Sequence, residues 1–256
     1  MREDAEKPAS SLPPDPLSAR TPIDIVLLMN EPEAAFQAAA FSRIDPSLSL
    51  AHASTLEMLH QSLSRLSPRA RLIGFSTSII APASALAAFP NGGYNFHPGP
   101  PNYPGNRPSA FACYAGEQEY GVTFHRMVPR VDEGEILDCE IFSIANCDTA
   151  HAIAILAYQR LARLFLMNAT ALAQLDRDIT GNGVRWSGQK TTQAQYNAMR
   201  VVPGNIDPVE LDRRIQAFNW IYTPVSNFGS PHHTKRPDLR PENQNPLQGL
   251  AKDQDF

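Results

Sequence analysis

Ile23-Asp24-Ile25-Val26-Leu27-Leu28-Met29, followed at once by Asn30-Glu31-Pro32-Glu33-Ala34-Ala35-Phe36, is the stretch that decides the fold. The first seven residues form a short, branched, apolar run, which reads as a buried strand. The next seven change character. Asn30 stands at a capping position, Pro32 and two glutamates fall in a first turn, and alanines follow, so a helix begins here. The same change repeats down the chain. A second short strand is expected around Ser47 to Ala51. A second helix opens at Thr55-Leu56-Glu57-Met58-Leu59 and stops near Ser67-Pro68, and Arg71-Leu72-Ile73-Gly74-Phe75 is a third strand. Strand, helix, strand, helix, strand implies an α/β fold: a Rossmann-like, mainly parallel sheet with helices on both faces. Ligands of such sheets lie beyond the carboxyl ends of the strands. No Gly-x-Gly-x-x-Gly follows the first strand, which argues against a dinucleotide dehydrogenase.

Working outward, residues 1–20 are rich in proline, serine and charge and read as a flexible arm. His151 to Leu175 is a long helix, with Ile153, Leu156, Leu161, Leu164, Phe165 and Leu172 at helical spacing. It closes a main domain over 21–180. Gly181-Asn182-Gly183 then breaks the chain into a small C-terminal extension, 181–230, ending in a helix from about Asp207 to Phe218. Residues 231–256 read as a mobile polar tail, in which His232-His233 is a solvated pair. Of 256 residues 43% are hydrophobic, enough for a packed core, and the net charge of −4 suits neither DNA nor RNA. No apolar run is long enough for a membrane span, and the N-terminus lacks a secretory pattern. Cys113, Cys139 and Cys147 form neither a zinc pattern nor an even disulfide framework, so a reducing cytoplasm and no metal are expected.

The chemistry concentrates in Tyr94-Asn95-Phe96-His97-Pro98-Gly99-Pro100-Pro101-Asn102-Tyr103-Pro104-Gly105. Asn95 and His97 are two apart on a short strand, so their side chains share a face, and the prolines stiffen the loop behind them. Gly121-Val122-Thr123-Phe124-His125-Arg126-Met127 alternates like a strand. It is followed by Asp132 in the turn Val131-Asp132-Glu133-Gly134, with a further strand after it. An amide that donates without titrating, a histidine that titrates near neutrality and a carboxylate that orients it suit acyl transfer through an oxyanion. No serine or cysteine nucleophile stands beside them, so direct transfer fits better than a covalent intermediate. Taken singly, Asn95 and Asp132 are ordinary turn residues and His97 an ordinary strand end. His125 is read as structural, or as a support behind the site.

At these residues the sequence resembles the catalytic domain of the 10-formyltetrahydrofolate-dependent formyltransferases, which include methionyl-tRNA, glycinamide ribonucleotide and sugar N-formyltransferases. The family's Asn-x-His-Pro, leading through prolines to Tyr-x-Gly, is matched by Asn95-Phe96-His97-Pro98 and Tyr103-Pro104-Gly105. Its Gly-Val-Thr-x-His and Asp-x-Gly are matched by Gly121 to His125 and by Asp132-Glu133-Gly134. The resemblance implies catalytic roles for Asn95, His97 and Asp132, with N10-formyltetrahydrofolate as co-substrate. It places the folate against Phe75, Ser76, Thr77, Ser78, Ile79 and Ile80, and against Val131, Glu133 and Gly134. The acceptor falls near Tyr103 and Gly105. Direct attack by a primary amine, through a tetrahedral intermediate, is the reaction implied.

Two departures bear on the acceptor: Gly99-Pro100-Pro101-Asn102 replaces Ser-Leu-Leu-Pro, and Pro104 stands where a basic residue is common. The residues after the long helix are too few for the extra barrel of the tRNA enzyme. Leu211-Asp212-Arg213-Arg214-Ile215-Gln216-Ala217-Phe218 is similar to a helix of the tRNA and sugar enzymes. The chain therefore looks most like a sugar N-formyltransferase, acting on a nucleotide-linked amino sugar for bacterial surface polysaccharide. Methionyl-tRNA, a glycinamide-type amine or water as acceptor are the alternatives. The sugar enzymes are often homodimers, a state the resemblance allows.

Overall fold

The computed structural model describes residues 21–218. The expected arm, the end of the extension and the tail, with His232-His233, lie outside the described residues. The elements are β1 (Ile23–Leu28), α1 (Glu31–Ile44), β2 (Leu50–Ala53), α2 (Leu56–Leu63), β3 (Leu66–Phe75), α3 (Ala83–Ala87), β4 (Gly93–His97) and α4 (Pro108–Ala115). There follow β5 (Glu119–Arg126), β6 (Ile136–Ser143), α5 (Ala150–Ala173), α6 (Gln193–Met199) and α7 (Pro208–Phe218). One sheet runs in the order β2-β1-β3-β4-β5-β6. Its first four strands are parallel, β5 runs antiparallel to β4, and β6 runs antiparallel to β5. No described helix is long and apolar enough to cross a membrane.

Strand pleating divides the core between two faces. Ile25, Leu27, Ile73, Tyr94, Phe96 and Phe124 point one way, onto α1 and α5. There Phe165 of α5 meets Phe36, Phe41 and Phe96 with centroids 5.5–6.2 Å apart. Val26, Leu28 and Leu72 point the other way, onto Leu59 of α2 and Ala85 and Phe89 beside α3. On this second face β4 and β5 carry polar side chains instead. Asn95 pairs across with His125 and His97 with Thr123 in the antiparallel register, which puts all four on one face.

The local readings hold with corrections. The second helix ends at Leu63, and Ser67-Pro68 lies inside β3. The register of β3 on β1 slips between Ile23↔Leu66 and Ile25↔Arg71, and at such a slip a residue without an N–H is tolerated. The second strand begins at Leu50 rather than near Ser47. Asn30 occupies the first cap without a side-chain hydrogen bond. Thr55, Thr149 and Thr192 do accept a backbone N–H at the starts of α2, α5 and α6. At the far end of α5, buried Arg71 donates to the carbonyls of Ala171, Leu172, Gln174 and Arg177.

The expected extension lies on the rest of the molecule. Thr191 bridges to Gly105, and Phe218 of α7 packs on Phe111 and Tyr114 of α4.

Candidate active site

Asp132 gathers the site. It follows β5 in a turn and has φ +50, a left-handed conformation that aspartate tolerates better than most residues. That conformation turns its carboxylate back under β4. Asp132 Oδ2 accepts the Gly105 N–H at 2.7 Å and lies 3.5 Å from His97 Nδ1, while Oδ1 lies 3.3 Å from His125 Nε2. Asn95 Nδ2 is 3.2 Å from His125 Nε2. All three ionisable groups are buried, His97 and Asp132 at 4% exposure and His125 at 2%. Glycine is required at both approaches. Gly105 has φ +99, and a Cβ there would meet the Thr191 carbonyl. A Cβ on Gly74, the neighbour of Asn95 on β3, would sit 2.7 Å from Asn95 Oδ1.

The hydrogen-bond partners fix where the ring protons are. A carbonyl only accepts, so a ring nitrogen facing one carries a proton. His97 Nε2 faces the Tyr103 carbonyl at 3.0 Å, and His125 Nδ1 faces that of Arg126 at 2.8 Å. On each ring the remaining nitrogen faces Asp132. Burial holds His97 below its ordinary 6.5, against the pull of Asp132 and the Tyr103 carbonyl and with some help from His125. Burial alone would raise Asp132, but His97, His125 and the Gly105 N–H outweigh it and hold the carboxyl at about 2. The cluster thus brings the second nitrogens of two imidazoles to within 3.3–3.5 Å of one carboxylate. Asn95 Oδ1 is also buried without a partner.

Asn95, His125 and Asp132 floor a cleft whose walls are apolar. Thr77, Ile79, Ile80 and Ala81 come from the loop after β3, Leu86 from α3, and Met127, Val128 and Val131 from the segment after β5. A flat ring with polar edges fits such a lining, with the polar atoms at its floor. The expected folate residues divide. Thr77, Ile79, Ile80 and Val131 line the cleft. Phe75 turns into the core against Phe96 and Tyr158, and Ser76, at φ +47, makes the turn that redirects the chain. Ser78 is not among the lining residues. Glu133 and Gly134 face a second cavity of about 480 Å³, which they share with Glu135, Ile136 and Gly183 to Trp186.

The residues expected near the acceptor hold the site instead. Tyr103 donates its hydroxyl to Glu117 at 2.7 Å and its carbonyl orients His97, while Gly105 binds Asp132. His125 is a correction: it lies in the cluster and lines the cleft with Asn95 and Asp132. Trp186 gave no sequence signal. Its ring stands edge-to-face with His97 and His125, at 5.8 and 5.0 Å between centroids, and its Nε1–H donates to the Gly134 carbonyl at 2.6 Å.

With this geometry in view, the comparisons with known proteins agree. The family model described as formyl transferase matches residues 32–162. A GDP-perosamine N-formyltransferase of Brucella melitensis is 32% identical over 145 residues, 54% of this chain and 52% of the relative. A methionyl-tRNA formyltransferase of Borreliella afzelii is 31% identical over 160 residues, 60% of this chain and 48% of the relative. The chain spans about half the length of these curated relatives. Among solved structures, a sugar N-formyltransferase from a Shewanella species superposes with a TM-score of 0.62 at 15% identity, covering 76% of this chain and 87% of that one. An N-formyltransferase from Helicobacter canadensis, in complex with folinic acid and dTDP-3-aminofucose, gives 0.57 at 17% identity, covering 77% and 80%. At these identities the structural likeness speaks for the fold.

Proposed function

The chain belongs to the formyl transferase family, and from that premise we propose that it transfers the formyl group of N10-formyltetrahydrofolate to a primary amine, the amino group of a nucleotide-linked amino sugar. The observation that carries this reading is the convergence of Asn95, His125 and Asp132 at the floor of one apolar cleft, with His97 against Asp132. The folate supplies an activated one-carbon unit, and the protein supplies polarity and a place for a proton. Asn95 Nδ2 gives one hydrogen to His125 Nε2 and keeps a second for the formyl oxygen, where negative charge develops. His97 Nδ1 and Asp132 Oδ2 face each other at 3.5 Å, and this pair is where a proton leaving the attacking amine would go. No serine or cysteine lines the cleft, and direct attack needs none.

The sugar acceptor draws support from the names of the Brucella and Helicobacter relatives. The Borreliella relative keeps methionyl-tRNA as a second reading, but a chain of net charge −4 is poorly matched to a polyanion. We place the reaction in the cytoplasm. The test is to mix the protein with N10-formyltetrahydrofolate and a panel of GDP- and dTDP-linked amino sugars and follow free tetrahydrofolate. Release that depends on one nucleotide sugar is expected. Folate binding without release for any amine would reject a transferase, and formate released equally without amine would make the protein a hydrolase.

A further inference from the structure

One indole stands edge-to-face against both histidines of the site, and the chain holding it is tied down on two sides. On one side Ser187 N–H donates to the Pro101 carbonyl, Thr191 N–H to that of Pro104, and Asn106 N–H to the Thr191 carbonyl, each at 2.9 Å. On the other side Lys190 Nζ pairs with Glu133 at 2.8 Å, and Trp186 itself is bonded to Gly134. Residues 186–191 therefore form a strap joining the proline-rich loop after β4 to the turn that carries Asp132. The cavity of about 480 Å³ borders the start of the strap: Trp186 both lines it and stands against His97 and His125. The ring stands between that cavity and the His97–His125–Asp132 cluster.

Such a cluster is as competent toward water as toward an amine. Water attack would bond its oxygen to the formyl carbon and break the bond to N10. The departing nitrogen would take the proton, and the products would be formate and tetrahydrofolate. Covering a reactive site against bulk water suppresses this loss, and a cover displaced only by the true substrate ties opening to acceptor binding. We propose that Trp186 is the water shield of this site. It keeps the formyl donor from hydrolysis until an acceptor amine, with binding energy to spare, moves the strap. The inference rests on the formyl-transfer reading and deepens it.

The test needs no knowledge of the acceptor. Formate release from N10-formyltetrahydrofolate is measured without amine, and folinic acid affinity alongside, for the wild-type protein, Trp186→Ala and Trp186→Phe. Formate release from Trp186→Ala should rise at least about tenfold, with Trp186→Phe near wild type and folinic acid binding unchanged in all three. Equal formate release from Trp186→Ala and wild type, with folinic acid still bound, would overturn the shield. Failure of the wild-type protein to bind folinic acid would instead bring down the formyl-transfer reading. Should the alanine variant not fold, the same cover is read by fluorescence in a Trp220→Phe background, where Trp186 should resist quenching by iodide. Quenching as strong as that of free indole would overturn the proposal.

Discussion

Two buried polar clusters stand on either side of the same pair of strands, and they are built in opposite senses. Around Arg71, four residues before the end of β3, donors meet acceptors. Its guanidinium feeds four carbonyls at and beyond the end of α5, groups that a helix end leaves orphaned, and its charge suits the negative end of the helix. The Tyr94 ring lies beneath it, 5.5 Å away. Around Asp132 titratable groups crowd one another: a carboxylate held at about 2, two imidazoles within 3.5 Å of it, and beside them an amide oxygen with no partner. The first cluster leaves only Arg71 Nε without a partner and has only stability to give. The second is complete only when a ligand brings protons and donors, which is the state expected of a site.

The sharpest break of this contrast is kinetic. His97→Ala and Asp132→Ala should each lower formyl transfer at least about a hundredfold, the usual cost of losing a positioned proton acceptor. Urea unfolding should show less change for His97→Ala than for Asp132→Ala, which also loses the Gly105 N–H bond. Transfer rates near wild type for both variants would remove the assignment. The next effect belongs to the other cluster. Arg71→Met should cost about 2–3 kcal/mol of stability by stranding helix-end carbonyls, while folinic acid affinity stays at its wild-type value. A variant as stable as wild type would show that water serves those carbonyls equally well.

The two clusters also differ in how far they could be read in advance. The alternation from Ile23 to Phe75 was legible because parallel strands covered on both faces are continuous apolar runs, and helices between them announce their caps. Asn95 and His97 were legible because period two is a property of one strand, and Asp132 because turns have a local chemistry. His125 was not, because its place beside Asn95 depends on the antiparallel register of β5 on β4. Trp186 reaches Gly134 across a gap in sequence that no local pattern bridges. Arg71 reads as a polar residue at a strand start, and only the end of α5 explains its burial. Phe75 packs in the core because the chain turns at Ser76, a turn outside any propensity rule.

The smallest effect separates the clusters by pH. Burial lowers the folded-state pKa of His97 below 6.5, so between the two values the unfolded chain binds the proton more readily than the folded one. The contribution of this ring to stability is fully present above pH 6.5 and is lost as pH falls through the folded value. Asp132 is lowered from 3.8 to about 2, so its contribution persists above pH 3.8 and disappears only as the pH falls through about 2. The two windows do not overlap at their upper ends, and mild acid isolates the histidine. Unfolding free energy measured from pH 7.5 down to pH 5, in about half-unit steps, should fall in the wild-type protein. His97→Asn should flatten that fall by up to one proton's worth of slope, whereas Arg71→Met should shift the whole curve down and leave its slope alone. Equal slopes for wild type and His97→Asn would mean that His97 titrates alike in both states, and the cluster would then lack the empty proton seat on which its chemistry depends.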